Sequence, residues 1–321
     1  MLLLAGLVGM MALGATAFLG MSDEDDDLAP AEGVGDDPGG GAPGEAAGGS
    51  ILDLVTPEHV TVGTEDDDTL EGDAARDLIG GYGGDDLIHG GDADDQLHGG
   101  NGDDTILGDA GDDILHGDAG ADVLQGADGD DSVYGHGGDD DLSGDAGGDS
   151  LVGGEGDDTL HGGAGDDVLH GELGDDSLTG GAGADTLFGG WGDDTLSGVE
   201  DAGDVPGADH LNGGGGDDHI LAGDDDTVTA GEGADRITLG PWITGGHQAE
   251  ILDFAPDEDM LVILYDDIAH PDPDVALEQD ADDPTLQHVL LNDVRIAAVH
   301  GAPGLTLGHL TLVAQGPAPA A

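Results

Sequence analysis

The sequence predicts an all-β fold: a parallel β-roll with a small β-rich C-terminal region and an N-terminal hydrophobic helix. Three observations support this prediction. A nine-residue pattern repeats without a break from Gly63 to Ser197. Position 8 of every unit of that pattern is an aliphatic residue. Residues 1–20 contain no charged side chain and, at about 1.5 Å per residue, form a helix long enough to cross a bilayer.

The composition excludes several classes of function. The chain has 74 Asp and Glu residues but only 3 Lys and Arg, so its formal net charge is −71 at pH 7. Such a charge repels phosphate groups and anionic lipids, and we expect no nucleic-acid partner. Lys and Cys are absent, which excludes P-loop and Schiff-base chemistry, disulfides and thiol nucleophiles. High acidity with few large apolar residues is typical of disorder unless cations neutralise the charge.

Three segments precede the repeats. Residues 1–21 are predicted to be a membrane anchor or an export signal that is cleaved, and the sequence leaves both alternatives open. Residues 22–50 are acidic and rich in Gly and Pro, which is typical of a linker. Residues 51–62 are rich in β-branched and apolar side chains and predict a strand that caps the roll. Membrane contact is expected only through residues 1–20.

The repeat region is predicted to span residues 63–238. Its first fifteen units have Gly at position 1 and Asp at position 6 without exception, and weaker units resume after an interruption at 198–203. Gly at positions 1, 2 and 4 permits positive φ, so we predict a six-residue turn followed by a three-residue strand. Position 8 points to one face of that strand. Its aliphatic side chain is buried only if two sheets of stacked strands face each other.

Two units form one coil of such a roll, so Asp side chains 18 residues apart stack in two columns with steps of about 4.8 Å. Neighbouring carboxylates at this spacing repel by about 3 kcal/mol at an effective dielectric constant of about 20. One aliphatic side chain per unit does not offset this repulsion, so the roll needs counterions. Calcium suits best because it accepts about six to eight oxygen ligands. Magnesium prefers tighter geometry, and zinc prefers His or Cys.

We therefore predict that Ca²⁺ is bound by the position-6 aspartates and by their equivalents in the weaker units. These residues are Asp68, Asp77, Asp86, Asp95, Asp104, Asp113, Asp122, Asp131, Asp140, Asp149, Asp158, Asp167, Asp176, Asp185, Asp194, Asp209, Asp218, Asp226 and Asp235. At position 4, Asp66, Ala75 and Ala93 replace the usual Gly, which weakens the prediction for their own units.

The units GGNGDDTIL, GGEGDDTLH, GGAGDDVLH and GGWGDDTLS resemble the RTX (repeats-in-toxin) nonapeptide GGxGxDxUx. The resemblance implies a parallel β-roll in which turn carbonyls and the position-6 Asp hold Ca²⁺ between neighbouring turns. It also implies a protein exported from a Gram-negative bacterium. The segment with Ile251, Asp253, Phe254 and Asp259 resembles the stretch that follows the roll in serralysin-type RTX proteins.

No residue is predicted to be catalytic. The HExxH motif of zinc proteases is absent, and the esterase-like string GDSL at 148–151 lies in the repeat register with Asp149 at position 6. His98 and His116 both occupy position 9 and are predicted to be outward-facing neighbours. They are interpreted as solvated residues, with transition-metal binding or pH sensing as the alternative.

The sequence thus predicts a non-enzymatic, extracytoplasmic calcium-binding protein, located outside the cell or on its surface. The alternative is an adhesion or partner-binding protein whose C-terminal region, residues 239–321, is displayed by the roll. A hydrolase that uses acidic pairs is disfavoured because the carboxylates repeat evenly instead of converging on one cleft.

Overall fold

The structure is a computed structural model. It describes residues 59–199, 207–240, 242–243, 247–268 and 271–315. All of them belong to one compact unit, Ile51–Ala321. The predicted hydrophobic helix and linker lie outside the described residues, as do residues 51–58 of the predicted capping strand. None of the described residues belongs to a helix with the length and apolar character needed to cross a bilayer.

Two long sheets account for the strands of the described region. The first sheet has 14 strands in the spatial order β1 (His59–Val62), β3 (Asp77–Gly83), β5 (Gln96–Asn101), β7 (Ile114–Ala119), β9 (Ser132–Gly137), β11 (Ser150–Glu155), β13 (Val168–Leu173), β15 (Thr186–Trp191), β17 (His210–Gly215), β19 (Thr227–Glu232), β21 (Ala249–Ile251), β25 (Val294–His300), β24 (Leu286–Leu291) and β23 (Val275–Gln279).

The second sheet has 12 strands in the order β2 (Thr69–Glu71), β4 (Leu87–Asp92), β6 (Thr105–Ala110), β8 (Val123–Asp128), β10 (Asp141–Ala146), β12 (Thr159–Ala164), β14 (Ser177–Ala182), β16 (Thr195–Ser197), β18 (His219–Ala222), β20 (Arg236–Leu239), β22 (Met260–Asp266) and β26 (Leu310–Gln315). A short 3₁₀ helix, Leu307–His309, precedes β26. Consecutive strands of the roll alternate between the sheets, which confirms the predicted parallel β-roll.

The strands of the roll pair with a spacing of 18 residues, as predicted. Leu142 in β10 is the register partner of Leu160 in β12, and both side chains are fully buried. Position 8 supplies this buried row along the roll, with Leu70 of the first unit half-buried, because alternation along the strand turns position 8 toward the facing sheet. Within the nonapeptide units the core is therefore one aliphatic side chain deep on each sheet, and the described residues of these units contribute no aromatic side chain to it.

The predicted division of each unit was wrong in one respect. Most strands are six residues long and cover positions 7–9 together with positions 1–3 of the next unit, as in β12. The turn is therefore only three residues, positions 4–6. Positions 1–3 continue the ladder because their backbone pairs with the adjacent coil: Ala146 is the register partner of Ala164.

The interruption after Ser197 does not disturb the stacking. Thr186 in β15 pairs with His210 in β17, and the offset of 24 residues is one coil plus the six inserted residues. His210 then pairs with Thr227 at an offset of 17, because one unit of that coil has only eight residues. Register is kept since a slip of one residue would expose the buried aliphatic row.

The C-terminal region is β-rich, as predicted, and it extends both sheets of the roll. β21 pairs with β19 and β25, while β22 pairs with β20 and β26, all in parallel. β23, β24 and β25 form an antiparallel meander at the end of the first sheet. Phe254, Ile296 and Leu305 are buried in the same hydrophobic core as the roll. The region thus closes the C-terminal end of that core.

Candidate metal centre

The position-6 aspartates form two continuous ladders along the roll. In each ladder, Oδ1 of one Asp accepts a hydrogen bond from the backbone N–H of the Asp one coil earlier. Asp104 N–H donates to Asp122 Oδ1 at 2.8 Å, and Asp122 N–H donates to Asp140 Oδ1 at 2.8 Å. The ladder crosses the interruption intact, since Asp185 N–H donates to Asp209 Oδ1 at 2.8 Å.

The structure places all the sequence-predicted site residues in these two columns. The first column contains Asp77, Asp95, Asp113, Asp131, Asp149, Asp167, Asp185, Asp209 and Asp226. The second contains Asp68, Asp86, Asp104, Asp122, Asp140, Asp158, Asp176, Asp194, Asp218 and Asp235. Their side chains are 0–3% exposed, except that of Asp68, which is half-buried.

In most of the column aspartates, the second carboxylate oxygen, Oδ2, lacks a hydrogen-bond partner. It is buried and receives no hydrogen bond from the described residues at the following positions: Asp86, Asp95, Asp104, Asp113, Asp122, Asp131, Asp140, Asp149, Asp158, Asp167, Asp176, Asp194, Asp218 and Asp235. A buried polar atom without a partner costs about 1–3 kcal/mol, and more when it is charged. These Oδ2 atoms therefore require a proton or a cation.

In the units that begin with glycine, Oδ2 lies beside the position-1 glycine of its own unit, where a side chain would otherwise stand. A Cβ atom on Gly81 would lie 2.0 Å from Asp86 Oδ2 and 2.6 Å from the carbonyl oxygen of Gly99. The space thus has both a carboxylate and a carbonyl oxygen on its walls, which are the donors that Ca²⁺ prefers. Glycine is required here by close approach, and the sequence-based explanation by positive φ was wrong for position 1.

Positive φ does explain glycine at positions 2 and 4. Gly91 at position 2 has φ of 113°, and Gly102 at position 4 has φ of 128°. Ala93, one of the position-4 exceptions, keeps the left-handed conformation with φ of 83°, whereas Asp66 and Ala75 do not. The two turns at the N-terminal end of the repeats therefore depart from the regular geometry, while the turn with Ala93 retains it.

Burial raises the pKa of the column carboxyls. The pKa rises to about 7 for Asp113, Asp122 and Asp158, with loss of solvation as the largest cause. Repulsion from neighbouring carboxylates adds to the rise, and the backbone N–H on Oδ1 opposes it without cancelling it. Negative charge in these columns is thus unfavourable until positive charge is added beside it.

Comparison with protein families decides which cation is involved. A family model described as the RTX calcium-binding nonapeptide repeat matches more than half of the chain, over residues 62–97, 89–124, 116–151, 143–178, 172–203 and 205–237. The chain belongs to this family. The predicted cofactor, Ca²⁺, is thereby confirmed, and the buried Asp columns of this RTX protein fit calcium-binding turns. No curated protein matches the sequence.

Sequence reasoning missed a second ladder in the RTX turns, built by the exposed Asp at position 5. Its carboxylate points the opposite way and accepts the N–H of the next coil: Asp103 N–H donates to Asp85 Oδ1 at 3.0 Å, and Ala121 N–H donates to Asp103 Oδ1 at 2.9 Å. Asp166 likewise accepts the N–H of Ala184 at 2.9 Å. The recurring Asp-Asp pair at positions 5 and 6 was the available signal.

Two aspartates after the last RTX unit bind backbone N–H groups at the C-terminal end of the roll. Asp259 Oδ1 accepts the N–H of Asp235 at 3.2 Å, so it is one more rung of the second column. Asp253 accepts the N–H groups of Ala230 and Gly231 at 2.8 and 3.1 Å. Both lie in the segment for which the sequence predicts a serralysin-type likeness, and that likeness stays a prediction.

The histidines at position 9 are outward-facing neighbours, as predicted. The rings of His98 and His116 stack with centroids 4.5 Å apart, and Tyr134 continues the stack at 4.9 Å. His116 Nδ1 lies 2.9 Å from His136 Nε2. Burial, and then the positive charges of His98 and His136, lower the pKa of His116 to about 4.

Proposed function

We propose that this RTX protein is non-enzymatic, acts outside the cytoplasm and folds when its columns bind Ca²⁺ there. The observation that carries the proposal is the row of buried Oδ2 atoms in both columns, which lie beside position-1 glycines except at Asp235, whose unit begins with Ala230. Oδ1 is already held by a backbone N–H, as in the contact between Asp104 N–H and Asp122 Oδ1. Each carboxylate is therefore oriented, with one oxygen left to ligate a metal.

Bound Ca²⁺ supplies the positive charge that the columns lack. The chain contributes the oriented carboxylates, the glycine spaces that admit an ion and the backbone carbonyls around them. Because the columns exist only when coils are stacked, ion affinity and folding free energy are linked. Extracellular calcium modules bind with Kd of about 10⁻⁴–10⁻³ M, so a chain of this kind folds after export and not before.

The even spacing of the acidic groups supports a non-enzymatic role. A catalytic site brings different titratable groups together in one cleft, with a nucleophile, a base and a charge-stabilising group within contact distance. Here the buried carboxylates repeat in one arrangement along both columns, and each is hydrogen-bonded to the backbone of its neighbour. This arrangement is suited to holding a row of ions.

Calcium titration of residues 51–321, followed by far-UV circular dichroism, tests the proposal. We expect a largely unfolded spectrum in EGTA, a cooperative gain of β-structure with Ca²⁺, and little gain with Mg²⁺ at the same concentration. A β-sheet spectrum in EGTA that Ca²⁺ leaves unchanged would refute calcium-driven folding. N-terminal sequencing of the mature protein from host-cell fractions tests the location, and recovery from the cytoplasm would contradict it.

A second candidate function is the display of a partner-binding C-terminal region. The supporting observation is β26, the last strand in the order of the second sheet, on which Leu312 and Val313 are 43% and 37% exposed. An exposed apolar edge strand is a template for strand addition by another chain. We expect Leu312→Lys to reduce partner capture by the calcium-loaded protein, and equal capture would argue against this function.

A further inference from the structure

Three potential ligand atoms converge at the N-terminal end of the first column. His59 Nδ1 lies 3.5 Å from Asp73 Oδ2 and 3.7 Å from Asp77 Oδ1. All three atoms lie within 4.8 Å of one another, and this is the one such group of three among the residues that the structure describes. The cluster combines an imidazole nitrogen with two carboxylate oxygens.

This end of the column differs from every later rung. Elsewhere in the ladder, Oδ1 accepts the N–H of the residue one coil earlier; for Asp77 that residue would be His59, its register partner in β1. The N–H of His59 instead donates to the carbonyl oxygen of Arg76 at 3.4 Å. Asp77 is only 2% exposed, and its Oδ1 receives no hydrogen bond within the described part of the chain. This oxygen lies 3.7 Å from Nδ1 of the His59 ring.

In each of the two carboxylates, one oxygen accepts a backbone hydrogen bond that orients the group, and the other oxygen is left for a metal ion. Asp77 Oδ2 accepts the N–H of Asp73 at 2.9 Å, and Asp73 Oδ1 accepts the N–H of Ala75 at 2.9 Å. The remaining oxygens, Asp77 Oδ1 and Asp73 Oδ2, are the two that approach His59. Hydrogen bonds of this kind fix the orientation of metal-ligating groups and raise affinity.

The donor set selects a different metal from the calcium turns. Imidazole nitrogen suits divalent transition metals, whereas Ca²⁺ prefers oxygen. Tetrahedral Zn²⁺ with ligands at about 2.0–2.1 Å separates its ligand atoms by about 3.3–3.4 Å, close to the 3.5 and 3.7 Å observed here. His59 and Asp73 are 55% and 63% exposed, so the site is open to an ion and to water as a fourth ligand.

We propose that His59, Asp73 and Asp77 form a Zn²⁺-type transition-metal site that closes the N-terminal end of the first column. Asp77, predicted from the sequence to bind Ca²⁺, then belongs to the site that joins β1 to the first coils. The proposal needs the roll to be folded, so it rests on the calcium-dependent fold proposed above. It does not require Ca²⁺ at Asp77.

Titration of residues 51–321 with Zn²⁺ in saturating Ca²⁺, followed by calorimetry, tests the site. Co²⁺ serves as a second probe because its visible absorption reports nitrogen and oxygen ligands. We expect one dominant site whose affinity falls at least about tenfold in His59→Ala. The matched control is His89→Ala, because His89 approaches a single carboxylate, Asp109, at 3.3 Å. Absence of zinc binding, or equal affinity in wild type and His59→Ala, overturns the proposal.

Two further variants keep the test decisive. His116→Ala removes the close contact between the imidazoles of His116 and His136. If the dominant zinc site is lost in this variant alone, zinc binds at these histidines, and the proposal is overturned. Asp73→Asn is the second test of the site, because Asp73 is exposed and lies outside both Asp columns. It is expected to reproduce the loss seen in His59→Ala. Circular dichroism and the calcium midpoint are expected to be unchanged in His59→Ala and in Asp73→Asn. These two measurements separate a failure of the zinc site from a failure of calcium-driven folding.

Discussion

At the scale of single residues, glycine has two distinct roles in the repeat units. At positions 2 and 4 it supplies positive φ, which other residues adopt at a cost of about 1 kcal/mol or more. At position 1 it leaves room for neighbouring oxygens, because a carboxylate oxygen and a carbonyl oxygen lie where a Cβ atom would clash with them, as at Gly81. Substitutions at the two kinds of position therefore act through different mechanisms: strain in one case, and a blocked ion site in the other.

The position-1 role predicts that Gly81→Ala weakens the calcium-bound protein. The added Cβ would lie 2.0 Å from Asp86 Oδ2, so the carboxylate must shift from its position. We expect a loss of about 1–3 kcal/mol in the free energy of unfolding in Ca²⁺, measured by urea denaturation. The control is Gly80→Ala, where nothing lies within 4 Å of the new Cβ. Equal effects of the two substitutions would contradict the assigned role.

A charge-neutralising change within a column is expected to have opposite effects with and without calcium. In Asp122→Asn the amide oxygen can still accept the N–H of Asp104, but the anionic Oδ2 is replaced by a neutral donor. We expect weaker calcium binding and lower stability in Ca²⁺. In EGTA we expect more residual structure, because a buried charge is removed.

Asp141→Asn is the matched control for Asp122→Asn. Asp141 is the first residue of β10, lies on the exposed face and is outside both columns. Urea denaturation in Ca²⁺ and circular dichroism in EGTA are the two measurements. A loss of structure for Asp122→Asn under both conditions would show that its carboxylate stabilises the roll without a metal.

At the scale of the element, the turn of three residues is held from both sides. The position-6 carboxylate binds the N–H of the coil before it, and the position-5 carboxylate binds the N–H of the coil after it, as Asp122 and Asp103 show. The register of each coil is thus set by its neighbours and by the buried position-8 side chain. Residues added between two units leave these contacts in place.

The interruption provides a test of this modular stacking. Deleting residues 199–204 joins Gly198 to Val205 and restores the regular unit GVPGADHLN, with Asp209 at position 6. Because the pairs Thr186 with His210 and Thr195 with His219 already skip six residues, we expect unchanged β-structure in Ca²⁺ and an unchanged calcium midpoint.

The matched control for that deletion removes the six residues 141–146, which form β10 and belong to two consecutive regular units. This change takes one buried Leu142 from the core and breaks the 18-residue step, so we expect a large loss of stability. Circular dichroism and thermal unfolding of both deletions report the outcome. Equal destabilisation by the two deletions would show that the inserted residues are needed for the stack.

At the scale of the whole molecule, the columns make stability depend on pH in a direction that calcium reverses. The folded-state pKa of Asp113, Asp122, Asp158, Asp167 and Asp218 is raised from 3.8 to about 7 in the metal-free roll. A raised carboxyl pKa means that the folded state binds protons more tightly than the unfolded state. The resulting stability is fully present below pH 3.8 and is lost as the pH rises through about 7.

We therefore expect the protein in EGTA to gain β-structure when the pH falls from about 8 to about 5. In saturating Ca²⁺ the carboxylates are neutralised by the ion, and we expect the structure to persist at about pH 8. Far-UV circular dichroism across this range measures both curves, and the lower limit stays above the isoelectric point of 4.1. A metal-free protein that gains structure on going from about pH 5 to about pH 8 would contradict the expected direction of the pH dependence.

Sequence periodicity determined the parallel roll, the 18-residue pairing, the buried position 8, the two Asp columns and the chemistry of the ion. These features follow because a repeat stacked on itself brings equal positions together at a fixed spacing. The six-residue strand was not predicted, because its second half is rich in glycine and pairs through backbone groups that no side-chain pattern records. For the same reason, the side-chain pattern did not show which carboxylate oxygen accepts the backbone N–H and which is left for the ion.

Tertiary structure alone decided which residues end the columns. Asp259 continues the second column from a segment without the nine-residue period, and Asp253 of that segment binds the backbone of Ala230. At the opposite end, His59 approaches Asp77 from a strand before the repeats. Such contacts depend on the path by which the chain reaches and leaves the stack. The repeated sequence determines how each coil contacts the next. The tertiary structure determines which residues contact the first and last coils, because each of these coils lacks an identical neighbour on one side.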